Sequence, residues 1–331
     1  MADLRTLDFS KFTHGSITDQ ESFGQELVAS FKNHGFVKLI NHGIQDETIS
    51  SKFFELPTAV KNETACVRGP FPQRGWGGVG FEQTSKVRKE NLVGRNADDL
   101  MDEREHFDAG PIGDTLYPNR WPRDEVMPGF QSFMEETYNV CQSKCLEIMK
   151  AVELGLHIEP DTLVQRCQLA ASEMRMNRYP QVAVERLADG SIKRTWPHTD
   201  FGIVTLLFQD EVGGLELEDR KQPGSFVPVK PTQPGQKSEM VVNISDTFQR
   251  WTNDVIRAGV HQVAPPPAYK GMTEGFLPER HSFVFFFKAS RDVSVGPLPT
   301  FVTPENQAKY DEITALEYQQ RKTQQLLGLL D

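Results

Sequence analysis

The chain is predicted to be α+β: a mostly helical leading part, then a jelly roll or sandwich of short strands, in a single domain. Three observations carry this. The longest run of apolar residues at helical spacing covers about 129–155, through Phe130, Phe133, Met134, Val140, Cys141, Leu146, Ile148, Met149 and Val152. From Ala170 onward the texture changes to short apolar runs separated by Gly and Pro turns. No linker, repeat or low-complexity segment separates the two textures, so the 331 residues are read as one unit. Its parts are 1–169, mostly helical, 170–300, the strand-rich core, and 301–331, a C-terminal helix.

Leu7-Asp8-Phe9 reads as a short strand, followed by a helix from about Thr18 to Asn33 with Phe23, Leu27, Val28 and Phe31 on one face. Gly35 to Ile40 is a strand that ends in the turn Asn41-His42-Gly43. A second helix is expected through Ile49 to Phe54, stopped at Pro57. Cys66 to Arg104 is Gly- and Arg-rich and weakly periodic, as expected of long loops, which in compact domains are usually functional or mobile. Strands are expected at Glu173–Tyr179, Val204–Gln209, Leu215–Glu218, Phe226–Val229, Met240–Ile244, Gly259–Val263 and Ser282–Lys288. Thr303-Pro304-Glu305 combines a capping residue with Pro at the first helical position, so a last helix is expected from there to about Leu327.

With 38% hydrophobic and 25% charged residues the composition is that of a soluble globular protein. A net charge of −10 argues against nucleic acid or an anionic membrane as the main partner. A small-molecule substrate and a monomeric chain are expected. Met1-Ala2-Asp3-Leu4-Arg5 lacks the apolar core of a signal peptide, and no apolar stretch reaches the ~18–20 residues that span a bilayer, so a cytoplasmic protein is expected. Cys66, Cys141, Cys145 and Cys167 show no metal-binding spacing and read as small apolar fillers in a reducing compartment.

The chemistry centres on Trp196-Pro197-His198-Thr199-Asp200-Phe201-Gly202. Read as the end of a strand, it sends His198 and Asp200, two residues apart, to the same face. Completed by a distant histidine, this pair gives two histidines and one carboxylate on one octahedral face, the arrangement of non-haem Fe(II) centres. Among eight histidines a His-x-Asp can arise by chance, and a surface turn is the plain alternative. The third ligand candidate is His261, in the strand-like Gly259-Val260-His261-Gln262-Val263. Further on, Arg280 and Ser282 share a face of the apolar strand that runs through Phe287. A guanidinium and a hydroxyl there can clamp a carboxylate or simply form a salt bridge. His281 should point the other way and be structural. Upstream, alternation puts Arg175, Asn177 and Tyr179 on one face. Buried without partners they would each cost ~1–3 kcal/mol, so that face is either solvated or turned to a ligand carboxylate.

In this order and company, the motifs resemble the isopenicillin N synthase-like branch of the Fe(II)/2-oxoglutarate-dependent dioxygenases over nearly the whole chain. They include Gly35-Phe36, Asn41-His42-Gly43-Ile44, Phe53-Phe54-Glu55-Leu56-Pro57, Arg74-Gly75-Trp76, Glu105-His106-Phe107-Asp108-Ala109-Gly110 and Asn119-Arg120-Trp121-Pro122. Asn177-Arg178-Tyr179-Pro180, His198-Thr199-Asp200, Gln209 to Leu215, Asn243-Ile244-Ser245-Asp246, Trp251-Thr252-Asn253, His261 and Arg280-x-Ser282 complete the set. The resemblance implies a double-stranded β-helix (jelly-roll) core flanked by helices, with Fe(II) held by His198, Asp200 and His261. It also implies that Arg280, Ser282 and Tyr179, with Asn177 nearby, bind the distal carboxylate of 2-oxoglutarate, O2 being the other cosubstrate. Some relatives, isopenicillin N synthase and 1-aminocyclopropane-1-carboxylate oxidase, use no 2-oxoglutarate; the polar Asn177 favours the cosubstrate. The chain departs from the pattern in a longer stretch between His261 and Arg280. It reads as an inserted loop over Pro265–Gly275, with Tyr269 and Met272 as candidate substrate contacts. Gln262 stands where an Arg is common in relatives.

The implied reaction is hydroxylation, or desaturation, cyclisation or ring expansion, of a small organic molecule; the alternatives are a 2-oxoglutarate-independent Fe(II) oxidase of the same fold or a non-catalytic ligand-binding jelly roll. Arg175 lies ~13 Å along its strand from Tyr179, at ~3.3 Å per residue, and would face the space before the metal. Arg175 and Arg194, with Trp196, Trp76 and Phe81, would suit an anionic or phenolic aromatic substrate, although a salt bridge for Arg175 is equally open. The whole is similar to fungal members of specialised metabolism and pyrimidine salvage.

Overall fold

The computed structural model describes residues 4–44, 52–88, 90 and 94–329. Its centre is a pair of facing sheets whose strands sort their side chains by alternation. The larger sheet has eight strands in the order Thr6–Asp8, Phe36–Ile40, Met240–Ile244, Val204–Gln209, Arg280–Phe287, Glu173–Tyr179, Glu105–Ala109 and Gly75–Gly77. The smaller has four, in the order Phe226–Pro228, Leu215–Glu218, His261–Val263 and Thr195–His198. Together they form the jelly-roll core, with helices against the outer face of the larger sheet.

Residue parity explains the layers. Val204, Leu206 and Phe208, Val242 and Ile244, Phe283, Phe285 and Phe287, and Met174 and Met176 turn outward into the main core. There they meet the helices Ile17–His34 and Phe130–Leu156, through Leu27, Phe31, Met134, Tyr138, Ile148 and Met149 among others. The opposite parity, Leu207, Val241 and Val284, meets Leu215 and Leu217 of the smaller sheet in a second apolar cluster. The same inward parity carries Arg175, Asn177, Tyr179, Thr205, Asn243, Arg280 and Ser282. Burying a Phe such as Phe285 outward supports the fold by several kcal/mol; truncation to Ala at such sites costs about 3–5 kcal/mol.

The helix Ile17–His34 begins with a capping box, Ser16 accepting from the Asp19 amide while Asp19 accepts from the Ser16 amide. It ends at Gly35, whose φ of 78° lets its N–H close on Phe31 O, so the chain can turn at once into Phe36–Ile40. The expected helix through Ile49 to Phe54 lies partly outside the described residues. Its described part is Lys52–Glu55, and a separate short helix, Thr58–Asn62, follows Pro57.

Two expectations are corrected. The segment from Cys66 to Arg104 is not loop throughout: Gly75–Gly77 forms the sheet's edge strand beside Glu105–Ala109, too short and Gly-rich to show a period. The last helix does not start at Pro304 but spans Ala315–Leu326, capped by Thr314 and Glu317. Asn253 explains the delay. Its amide donates to the carbonyls of Asn306 (3.0 Å) and Gln307 (2.9 Å), and its side-chain oxygen accepts from the Lys309 amide (3.0 Å). Those backbone groups are thereby withdrawn from a helix.

Arg175 is the bolt between the core and the 81–108 region. Its guanidinium meets both oxygens of Asp108, at 2.7 and 2.7 Å, and both oxygens of Glu82, at 2.7 and 2.6 Å. Arg104 adds a 2.6 Å bond to Glu82. Burial would raise the Glu82 carboxyl, but Arg175, His106 and Arg104 hold it well below the usual range. We expect Arg175→Leu to leave two buried carboxylates without their fork and to cost about 3–5 kcal/mol of stability. Urea unfolding checks this, and a loss well under 1 kcal/mol would show that the network contributes little to stability.

Candidate metal and cosubstrate site

Three ligand-type atoms converge at one mouth of the two sheets. His198 and His261 lie directly opposite each other in the smaller sheet, with ring centroids 4.3 Å apart. Asp200 Oδ1 lies 3.8 Å from His198 Nε2 and 3.9 Å from His261 Nε2. The route differs from the one expected. The strand ends at His198, and Asp200 sits in the bend that carries the chain from the smaller sheet to the larger one. That bend is stitched down by Asp246 N–H to Asp200 O, Thr247 N–H to Gly202 O and Ile203 N–H to Phe287 O, each 2.8 Å.

The outward atoms of all three side chains are already bonded. His198 Nδ1 lies 2.8 Å from Trp196 O and His261 Nδ1 3.2 Å from Gly259 O, so each Nδ1 carries the proton and each Nε2 offers its lone pair. Asp200 Oδ2 accepts from Thr205 (2.7 Å) and Asn243 (2.8 Å), leaving Oδ1 facing the histidines. Burial and the neighbouring His261 hold His198 far below the usual imidazole range, so it is a neutral donor. The histidines and the two hydrogen bonds keep Asp200 ionised against its burial. This donor set fits a borderline divalent metal with open positions on one side. Gln262 takes no part: it bonds to Glu216 at 2.8 Å in the smaller sheet.

A second polar cluster lies deeper between the sheets. Register pairs Arg280 with Tyr179 and Ser282 with Asn177. The Arg280 guanidinium stacks 4.7 Å above the Tyr179 ring, which with other cations keeps that phenol below its usual pKa despite burial. Asn177 Nδ2 donates to Ser282 Oγ at 3.3 Å. Arg280 donates to Gly213 O (2.7 Å) and Gln209 Oε1 (3.2 Å), while its Nη1 and the Asn177 Oδ1 are buried without a partner. An unpaired guanidinium N–H in such a place fits a carboxylate. His281 points away, 3.4 Å from Glu279.

In front of His198 and Asp200 opens a cavity of about 620 Å³ including its mouth. Phe201, Phe286 and Leu326 line it together with Gln73, Glu82, Arg104, Glu173, Arg175, Lys288 and Gln319. Arg175 does reach this space, but the expectation that it awaits a substrate anion is corrected by its bonds to Asp108 and Glu82. Lys288 and Arg74 likewise both pair with Glu173. Trp196 is also corrected. It is buried against the 84–101 segment, its amide donating to Thr84 and its indole to Met101 O, and it does not line the cavity. Trp76 donates to Glu105 instead, and Phe81 meets His106 edge-on, ring centroids 5.8 Å apart. Arg194 is buried within electrostatic reach of Arg280 and does not line the cavity. Of the inserted loop, Met272 is exposed and Tyr269 half-buried, and neither lines the cavity.

Sequence reasoning missed Thr205, Asn243, Glu82, Arg104 and Lys288. A polar residue at inward parity in an otherwise apolar strand would have pointed to the first two; nothing local marks the others. Cys66, His106 and Asp108 also cluster, but Arg175 and Arg104 beside them oppose a cation, and burial pushes the Cys66 thiol up.

Residues 170–289 match the 2OG-Fe(II) oxygenase superfamily, and residues 4–124 the family described as non-haem dioxygenase in morphine synthesis N-terminal. The chain is 46% identical over 330 residues to the 2-oxoglutarate-dependent dioxygenase phqC of Penicillium fellutanum, covering 96% of this chain and 93% of that protein. It is 38% identical to the proline hydroxylase buaE of Petromyces alliaceus, over 97% and 98% of the two chains. A full-length Neurospora crassa protein solved in complex with alpha-KG and thymine has a TM-score of 0.84 at 27% identity, covering 98% of each chain. With both parts of the chain matched and a relative so similar over its whole length, the protein belongs to the 2OG-Fe(II) oxygenase superfamily and is an Fe(II)- and 2-oxoglutarate-dependent dioxygenase.

Proposed function

We propose that His198, Asp200 and His261 hold the Fe(II), and that Arg280, Ser282, Tyr179 and Asn177 receive the distal carboxylate of 2-oxoglutarate. The observation that carries the first part is that each ligand side chain has its outer atom bonded and its inner atom free toward the same point. Bound there, the metal and cosubstrate supply oxidative decarboxylation, which consumes O2, releases CO2 and succinate, and oxidises a C–H bond of the substrate. The protein's own part is to fix the imidazole tautomers through Trp196 O and Gly259 O, and to aim Asp200 through Thr205 and Asn243.

For the substrate we infer a small polar molecule with both hydrogen-bond donors and acceptors, such as an amide or a nitrogen heterocycle. The cavity's cations are matched by Glu82, Asp108 and Glu173, which removes the reason for an anion. Arg104 Nε and Gln73 Oε1 stand as one buried donor and one buried acceptor without partners in its lining. Thymine in the Neurospora crassa complex and the proline of the relative's name are molecules of this kind. A place in specialised metabolism, a cytoplasmic location and a monomeric state fit the same reading. No helix among the described residues is long and apolar enough to cross a membrane.

Asp200→Ala is expected to retain the fold by circular dichroism, to lose Fe(II)- or Mn(II)-binding in a metal titration and to abolish succinate formation. Wild-type activity in this variant would refute the ligand assignment. Arg280→Ala is expected to raise the 2-oxoglutarate concentration needed for half-maximal turnover on the order of 100-fold or more, since removing one partner of a buried charge pair costs about 3–5 kcal/mol. Oxygen uptake with a panel of amides, heterocycles, phenols and aromatic acids reads both variants. Full turnover without 2-oxoglutarate would place the protein with the cosubstrate-independent oxidases.

A further inference from the structure

Arg194 has no place in the chemistry described so far. It is one of the two largest charged side chains that are fully buried, at 1% exposure, and the other is Arg280, at 0%. Arg194 precedes the strand Thr195–His198, and its Nη2 donates to the carbonyl of Pro278, two residues before Arg280. Its Nε and Nη1 are buried without a partner, as is Arg280 Nη1. Among the described residues, the bonds of these two guanidinium groups run to Pro278 O, Gly213 O and Gln209 Oε1, and to no carboxylate.

Two buried cations within electrostatic reach of each other, one bonded to a carbonyl two residues before the other, are costly. Burial, and after it the charge of Arg280, pulls Arg194 down to about 10. The nearest acid in electrostatic reach, Asp210, has its oxygens engaged by the amides of Val212 and His281. Tyr179 lies close to both arginines, and the Tyr269 phenol of the inserted loop also acts on Arg194. Neither replaces a full negative charge. Three unpartnered nitrogens, Nε and Nη1 of Arg194 and Nη1 of Arg280, thus leave two buried guanidiniums with donors to spare, the need that an anion with several acceptor lone pairs meets.

We propose that Arg194 is a second cation of the cosubstrate pocket, binding the distal carboxylate of 2-oxoglutarate together with Arg280. This rests on the cosubstrate reading above and extends it. Arg194 then acts on the dicarboxylate itself rather than on the substrate. It makes the pocket select 2-oxo acids that end in a carboxylate, because without that group two positive charges stay buried together.

The test is equilibrium binding, by anaerobic calorimetry, to the Mn(II)-loaded full chain. Two ligands are compared: 2-oxoglutarate, and 2-oxobutanoate, which keeps the metal-binding end and lacks the distal carboxylate. Arg194→Met should weaken 2-oxoglutarate tenfold or more while changing 2-oxobutanoate less than about threefold, since only the first ligand loses a charge-assisted bond. Should that variant not fold, Arg194→Gln, which can still donate to Pro278 O, is read by the same criteria. A crystal structure of the wild-type protein with Mn(II) and 2-oxoglutarate needs no variant, and hydrogen-bond contact between Arg194 and the distal carboxylate is expected in it. Unchanged 2-oxoglutarate affinity, equal weakening of both ligands, or a crystal structure without that contact would each overturn the proposal. Wild-type protein that binds no 2-oxoglutarate would overturn the underlying cosubstrate reading as well, and is distinguishable because no variant is then involved.

Discussion

The structure depends on one constraint: much of the inner face of the larger sheet is polar, yet it is closed in by a second sheet. Any donor or acceptor there must be matched from inside, because water cannot do it and an unmatched group costs about 1–3 kcal/mol. The chain meets this in three ways along the same row of inward positions. Thr205 and Asn243 spend their bonds on one oxygen of Asp200. Arg175 spends its fork on Glu82 and Asp108. Arg280 and Asn177 keep part of their capacity in hand. The interior is thereby divided into a self-satisfied half and a half that keeps buried donors and acceptors unpaired.

That division bears on the cavity in front of the metal. Its walls carry many charges, but they are arranged as matched pairs held at short distances, so the space they enclose has polarity without a strong net field. A site of this type discriminates by the placement of hydrogen-bonding groups rather than by ligand charge. It also presents a pre-ordered environment, since Glu82, Arg104, Arg175 and Glu173 are each held by two or more partners.

Much of this was legible in the sequence, and the boundary of legibility has a physical cause. Strands Glu173–Tyr179, Val204–Gln209, Leu215–Glu218 and Met240–Ile244 stand where alternation and turn residues place them, because both of their faces are contested by packing. The edge strand Gly75–Gly77 has no such pattern to read. Within the site, the His198 and Asp200 pair was visible but its geometry was not: spacing of two fits a strand, whereas the chain leaves the strand at His198 and delivers Asp200 from a bend. Arg175 was placed on the right face with a substrate anion and a salt bridge left equally open; the salt bridge holds, and its acids, Asp108 and Glu82, are distant in sequence with nothing local to announce them. Trp196 failed for the related reason that its environment is set by Thr84 and Met101.

The order of strands in the larger sheet has a consequence for how the protein is made. Four of its strands come from the first third of the chain, and they occupy the two outer positions on each side of a centre built from residues 173–287. Phe36–Ile40 pairs with Met240–Ile244, a separation of roughly 200 residues, which places the molecule among high-contact-order folds. As the chain leaves the ribosome, Phe36–Ile40 and Glu105–Ala109 each keep an open backbone edge until their partners Met240–Ile244 and Glu173–Tyr179 have emerged. The helices Ile17–His34 and Phe130–Leu156, which pack on each other, form the part that can be built in the meantime. Once the centre arrives, the same early strands cap both of its edges. The segments most exposed to mispairing during synthesis are therefore the ones that protect the finished sheet from it.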